Sequence, residues 1–117
     1  MGKMLRKGIE DMKKIYNKLV RDNIPKIITS SGKECDIEVL DEDRYLTMLD
    51  NKLNEECEEY QVDKNLEELA DIIEVVYAIT KARGYTIEDL ERLRQTKANE
   101  RGAFNDRILL KEVRSEK

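Results

Sequence analysis

Leu53-Asn54-Glu55-Glu56-Cys57-Glu58-Glu59-Tyr60, followed six residues later by Glu67-Glu68-Leu69-Ala70-Asp71, is the stretch on which the fold turns. Leu49, Leu53, Glu56 and Tyr60 recur at i, i+4, i+7 and i+11, which is one face of a helix. Glu56 therefore falls on an apolar seam, and Glu59 lies one turn further on. In the second segment Glu68, Ile72, Val75 and Ile79 share a stripe, with Asp71 one turn from Glu68. The break at Asp63-Lys64-Asn65 folds the two helices into a hairpin. Counting outward from the turn sets Glu59 level with Glu68 and Glu56 level with Asp71.

Four carboxylates gathered in a half-dry seam do not all stay ionised without a counterion. A hard divalent cation answers that need. All-oxygen ligation favours Mg²⁺, with Mn²⁺ as a second option, over zinc. The plainer reading is a solvated acidic face, because a chain with 26 acidic residues produces Glu-x-x-Glu and Glu-x-x-Asp by chance. Symmetric placement about one turn, on the apolar side of both helices, weighs against it. The chain has no His, which counts against the Glu-x-x-His pattern of di-iron bundles.

Working outward, residues 34–71 hold fifteen acidic side chains against Arg44, Lys52 and Lys64, so the flanks are basic while the net charge is only -4. A pI near 5.1 and so acidic a middle argue against a general nucleic-acid binder. Cys35 and Cys57 are isolated and fit free thiols in a reducing cytoplasm. The longest apolar run, residues 75–79, is far too short to span a bilayer. With 41% charged residues, one Pro and five Gly, the composition points to a mainly α chain.

The expected order is four helices in a bundle, with a short two-stranded β element as an option. Asp22-Asn23-Ile24-Pro25 reads as a capped start for a short helix ending near Thr29. Residues 35–40 alternate enough for a strand. Acids at 41–43 open the long helix at its positive end. The next helix begins near Asn65, carries Leu66, Leu69, Ile72, Ile73, Val76 and Ile79, and closes at Gly84. Thr86-Ile87-Glu88-Asp89 resembles a capping box and starts a fourth, ending near Gly102. Residues 107–113 form a second candidate strand, able to pair with 37–40. Residues 1–11 read as a tail, with Met12 a candidate start; 12–113 as one domain; and 114–117 as a second tail.

Further residues carry candidate chemistry. Glu55 neighbours the cage and is a candidate general base, or else a surface acid. Lys18 and Arg21, beside the start of the first helix, suit an anion site or a solvated basic loop. Lys97 and Arg101, four apart on one helical face, suit phosphate contacts, although both also complement the negative end of that helix. Tyr60, Tyr77 and Phe104 read as core in preference to base-stacking platforms.

The two acidic segments resemble the Glu-Glu-x-x-Glu and Glu-x-x-Asp motifs of the MazG-like all-α nucleoside triphosphate pyrophosphohydrolases. Tyr16-Asn17-Lys18-Leu19-Val20-Arg21-Asp22-Asn23-Ile24-Pro25 is similar to the opening of the phosphoribosyl-ATP pyrophosphohydrolase-like group of that superfamily, and Lys97-Ala98-Asn99-Glu100-Arg101-Gly102-Ala103-Phe104 to its closing motif. The resemblance covers about residues 13–113. It implies Mg²⁺ held by Glu56, Glu59, Glu68 and Asp71. It also implies hydrolysis of the α–β phosphoanhydride of a nucleotide to a monophosphate and pyrophosphate, and a homodimer or higher homo-oligomer with the site near the subunit interface. Two departures stand out: eight residues separate Glu59 from Glu68, fewer than in many MazG proteins, and Asn23 stands where the group usually has Lys. A different class, a non-catalytic helical module binding a nucleotide or a protein partner, competes with the enzyme reading.

Overall fold

The computed structural model describes residues 13–116, so the expectations for residues 1–12 lie outside the described part. Among the described residues there are four helices: α1, Ile24–Ser30; α2, Glu42–Asp63; α3, Leu66–Ala82; and α4, Ile87–Arg101. Each was expected from the sequence, and the ends follow from local chemistry. Asp41 accepts a hydrogen bond from the Arg44 backbone N–H at 2.9 Å and starts α2, with Glu42 and Asp43 in its first turn. Thr86 and Asp89 form the reciprocal capping box that starts α4. The start of α1 differs from expectation. Its N-cap is Asn23, which makes no side-chain cap, and the Ile24 N–H instead donates to the Arg21 carbonyl at 3.0 Å.

Two residues, Lys64 and Asn65, connect α2 to α3. Lys64 adopts a left-handed conformation at φ 52° and its N–H closes on the Tyr60 carbonyl at 2.8 Å. Asn65 then accepts from the Glu68 N–H at 2.9 Å and caps α3. So short a turn makes the helices antiparallel neighbours, and this hairpin is the centre of the fold. Leu49 of α2 and Val75 of α3 are its buried apolar pair, with Leu53, Met48, Ile72 and Ile79 half-buried around them. Arg83 ties the far end of α3 to Asp50 of α2 at 3.3 Å. α4 packs on α3 over a smaller contact.

Two expectations are corrected. Residues 35–40 and 107–113 do not pair: both lack regular structure, and among the described residues neither segment makes a ladder hydrogen bond. Alternation alone does not supply a partner strand, and an isolated two-stranded ribbon is marginal in water. The second correction concerns the core. Leu66, Leu69 and Ile73 lie outside the α2–α3 seam and are exposed, as is Phe104, which is 98% accessible. Residues 114–116 are exposed and irregular, as are residues 107–113 before them.

Candidate metal centre

The α2–α3 seam turns polar midway along its length. Helical register carries Glu56 onto the same face as Leu49 and Leu53, and it is one of the most buried side chains in the protein, 7% accessible. Across the seam stand Glu68, held one turn into α3 by the Asn65 cap, and Asp71, one turn further. Glu56, Glu68 and Asp71 each present a carboxylate oxygen within 4.8 Å of the other two. Two oxygens on opposite sides of a bound Mg²⁺ are about 4.2 Å apart, so small side-chain movements would let all three share one ion.

The donor atoms fit a cation. One oxygen of Glu56 and one of Glu68 are buried without a hydrogen-bond partner. Orphaned carboxylate oxygens are costly, and a hard cation satisfies them with the ligand type it prefers. Burial pushes the Glu56 carboxyl above the ordinary range, and the nearby Glu59 adds to this, while Lys52 partly offsets it. Burial also raises Glu68, with the charges of Asp63, Asp71 and Glu56 acting in the same direction. These are the signs of a site with an excess of negative charge.

Glu59 faces Glu56 but is not one of the three mutually close carboxylates. Glu56 meets both acids of α3, so the cluster joins Glu68 to the expected pair of Glu56 and Asp71. Glu55 accepts hydrogen bonds from Lys18 at 2.8 Å and Lys52 at 3.4 Å. Its partial burial opposes ionisation, yet the two ammonium groups outweigh that and hold its carboxyl below the usual range. A carboxylate so stabilised is a weakened base.

Cations from two directions meet this cluster. Lys18 reaches Glu55, and the Arg21 guanidinium sits 2.6 Å from Asp71 and 3.5 Å from Glu74. Both residues therefore lie at the carboxylates, tying the N-terminal segment to the hairpin. Lys52, which the sequence reading did not single out, is 3.2 Å from Glu56 and mostly buried. Its signal was present as spacing: it lies one turn before Glu55 and Glu56 on the same helix. Lys97 and Arg101 are exposed on α4 and, among the described residues, make no ion pair. A depression of about 520 Å³ lined by Ile87, Glu91, Arg92 and Gln95 of α4 contains none of Glu56, Glu59, Glu68 and Asp71, and its chemistry points to no ligand.

Fold and site together define a class: an all-α chain whose helical hairpin carries a three-carboxylate cluster suited to a cation. Comparison with family models, curated proteins and solved structures returns no match. Neither cysteine is in a disulfide, and both are exposed. Among the described residues no helix is long and apolar enough to cross a membrane.

Proposed function

We propose that this protein is a Mg²⁺-dependent nucleoside triphosphate pyrophosphohydrolase, a cytoplasmic MazG-like enzyme that cleaves the α–β phosphoanhydride of a nucleotide and contributes to cleaning the nucleotide pool. The observation that carries the proposal is the pair of buried, unpartnered oxygens on Glu56 and Glu68 with Asp71 beside them. The motif resemblance supplies the reaction. Glu56, Glu68 and Asp71 are the proposed ligands, with Glu59 joining by a side-chain movement; Mn²⁺ is an alternative ion. When bound, the cation neutralises phosphate oxygens and lowers the pKa of a coordinated water.

The chain's own residues would do the rest. Lys18 and Arg21, at the rim of the cluster and 40% and 55% accessible, are placed to exchange their carboxylate partners for substrate phosphates. Glu55 is released to accept a proton only once Lys18 leaves it, which would couple phosphate binding to base activation. Lys97 and Arg101 would complete the phosphate contacts from α4. The proposal includes a homodimer or higher homo-oligomer, which the near absence of a buried apolar core in the single chain supports.

The test is pyrophosphate release over a panel of ordinary, modified and deoxy nucleotides with Mg²⁺. Turnover of at least one nucleotide is expected, falling about 100-fold or more in Glu56→Gln and in Asp71→Asn. No turnover by the wild type, or unchanged turnover in both variants, removes the enzyme reading. One observation favours the competing reading of a non-catalytic helical module: Lys18, Arg21 and Lys52 already balance much of the cluster's charge. Titration calorimetry with Mg²⁺ separates the two, since a cluster neutralised by its own lysines and arginine gives no binding heat.

A further inference from the structure

The cations that touch the three-carboxylate cluster each touch an acid outside it as well. Lys52 lies 3.2 Å from Glu56 and 3.4 Å from Glu55. The Arg21 guanidinium lies 2.6 Å from Asp71 through Nη2 and 3.5 Å from Glu74 through Nη1. The two cations differ in how far they are fixed. Lys52 is mostly buried and projects from α2 one turn before Glu56, so the helix holds it in place. Arg21 precedes α1 in an irregular segment, and its side chain is exposed. Its carbonyl accepts from the Ile24 N–H at 3.0 Å, which anchors the backbone. The guanidinium is therefore the part free to move, while its root stays beside the seam.

Glu74 lies one turn beyond Asp71 on α3 and is exposed. Among the described residues it meets no cation except Arg21. Arg21 donates a hydrogen bond to Asp71, whereas its approach to Glu74 is an ion pair without one. A divalent ion held by the cluster would sit about 2.1 Å from the Asp71 oxygen it takes. The guanidinium on that carboxylate is then a like charge competing for the same group. Its planar fork can change the nitrogen that donates without leaving the site. The gap to Glu74 has to close by only about 0.6 Å to become a charge-assisted hydrogen bond.

We infer that Glu74 is a positioning residue that receives Arg21 when a divalent cation takes Asp71. The arginine then gives up the ion's ligand and waits one helical turn away, still within reach of a phosphate. This rests on the cluster binding a cation, as proposed above, and goes beyond it in naming what holds Arg21 after the exchange. Without Glu74, the released guanidinium has only solvent to meet, so it competes harder for Asp71.

Titration calorimetry with Mg²⁺ alone, at about 0.15 M salt to screen distant charges, compares the wild type, Arg21→Gln, Glu74→Gln and the double variant. Arg21→Gln should bind about fivefold tighter and Glu74→Gln about threefold weaker, the scale of an exposed ion pair. In the double variant the Glu74 substitution should add nothing to Arg21→Gln, because its effect runs through the arginine. Equal weakening by Glu74→Gln with and without Arg21 overturns the handover, as does binding that is unchanged or weaker in Arg21→Gln. Either result leaves the cation site standing. Absence of Mg²⁺ binding in all of these proteins overturns the cation site and this inference together. The wild type carries a second test that no folding defect in a variant obscures. The Arg21 Nε–H signal in NMR should shift when Mg²⁺ saturates the protein, and should keep the slow exchange of a paired guanidinium. A signal that does not move at saturation, or that becomes that of free arginine, overturns the inference.

Discussion

At the scale of the residue, Lys52 and Glu56 show how a buried charge is tolerated. Glu56 sits on the seam that Leu49 and Leu53 occupy, and Lys52, one turn back, is its nearest cation at 3.2 Å. Removing the ammonium strands a buried carboxylate, so Lys52→Met should cost about 2 kcal/mol at pH 7. Urea unfolding measures this, and the cost should shrink at pH 4, where Glu56 is protonated. The same groups set the pH dependence. Glu56 and Glu68 are raised above the ordinary value of 4.5, so the folded state holds more protons than the unfolded chain above that pH. Stability must then fall as pH rises from about 4.5 through the raised range. Glu55, Asp89 and Glu91 are lowered, so their contributions are already complete above the ordinary carboxylate range and add no opposing slope there. Metal-free protein in a chelator should therefore melt at a lower temperature at pH 7 than at pH 5, and Glu56→Gln should flatten the trend. Equal slopes in variant and wild type would contradict this account.

At the scale of the element, the two-residue turn between α2 and α3 decides where the carboxylates meet. Lys64 pays for its left-handed backbone without the freedom of glycine, and Lys64→Gly should stabilise the hairpin by up to about 1 kcal/mol. Asn65 acts in the opposite direction: its side chain caps α3 through the Glu68 N–H, so Asn65→Ala should cost about 1 kcal/mol. Because that cap anchors the turn carrying Glu68, Mg²⁺ affinity measured by calorimetry should weaken in Asn65→Ala and hold in Lys64→Gly. The helices themselves were legible because capping and periodicity act within a few residues. That residues 35–40 and 107–113 stay unpaired was not, because a ladder depends on a partner that alternation does not name.

At the scale of the whole molecule, little is buried: among the described residues Leu49 and Val75 are the buried apolar side chains, beside many exposed ones. If stability is completed by a second copy, unfolding is linked to association. The melting temperature should rise as protein concentration is increased from about 1 to 100 μM, and calorimetry over that range measures it. A constant value would show that the chain is stable alone.

The sequence by itself determined the four helices, the hairpin and the candidates Glu56, Glu68 and Asp71, since each depends on spacing along one chain. Only the tertiary structure decided that Glu56 lies close to both acids of α3, that Lys52 pairs with Glu56 and Arg21 with Asp71, and that Glu59 stands outside the closest set. It also decided which side of α3 faces α2 and which stays open. The physical reason is common to these cases: an acid's partners, its burial and the cover over a helix face are set by the rotation of one helix against another, a quantity that no periodicity within a single helix contains.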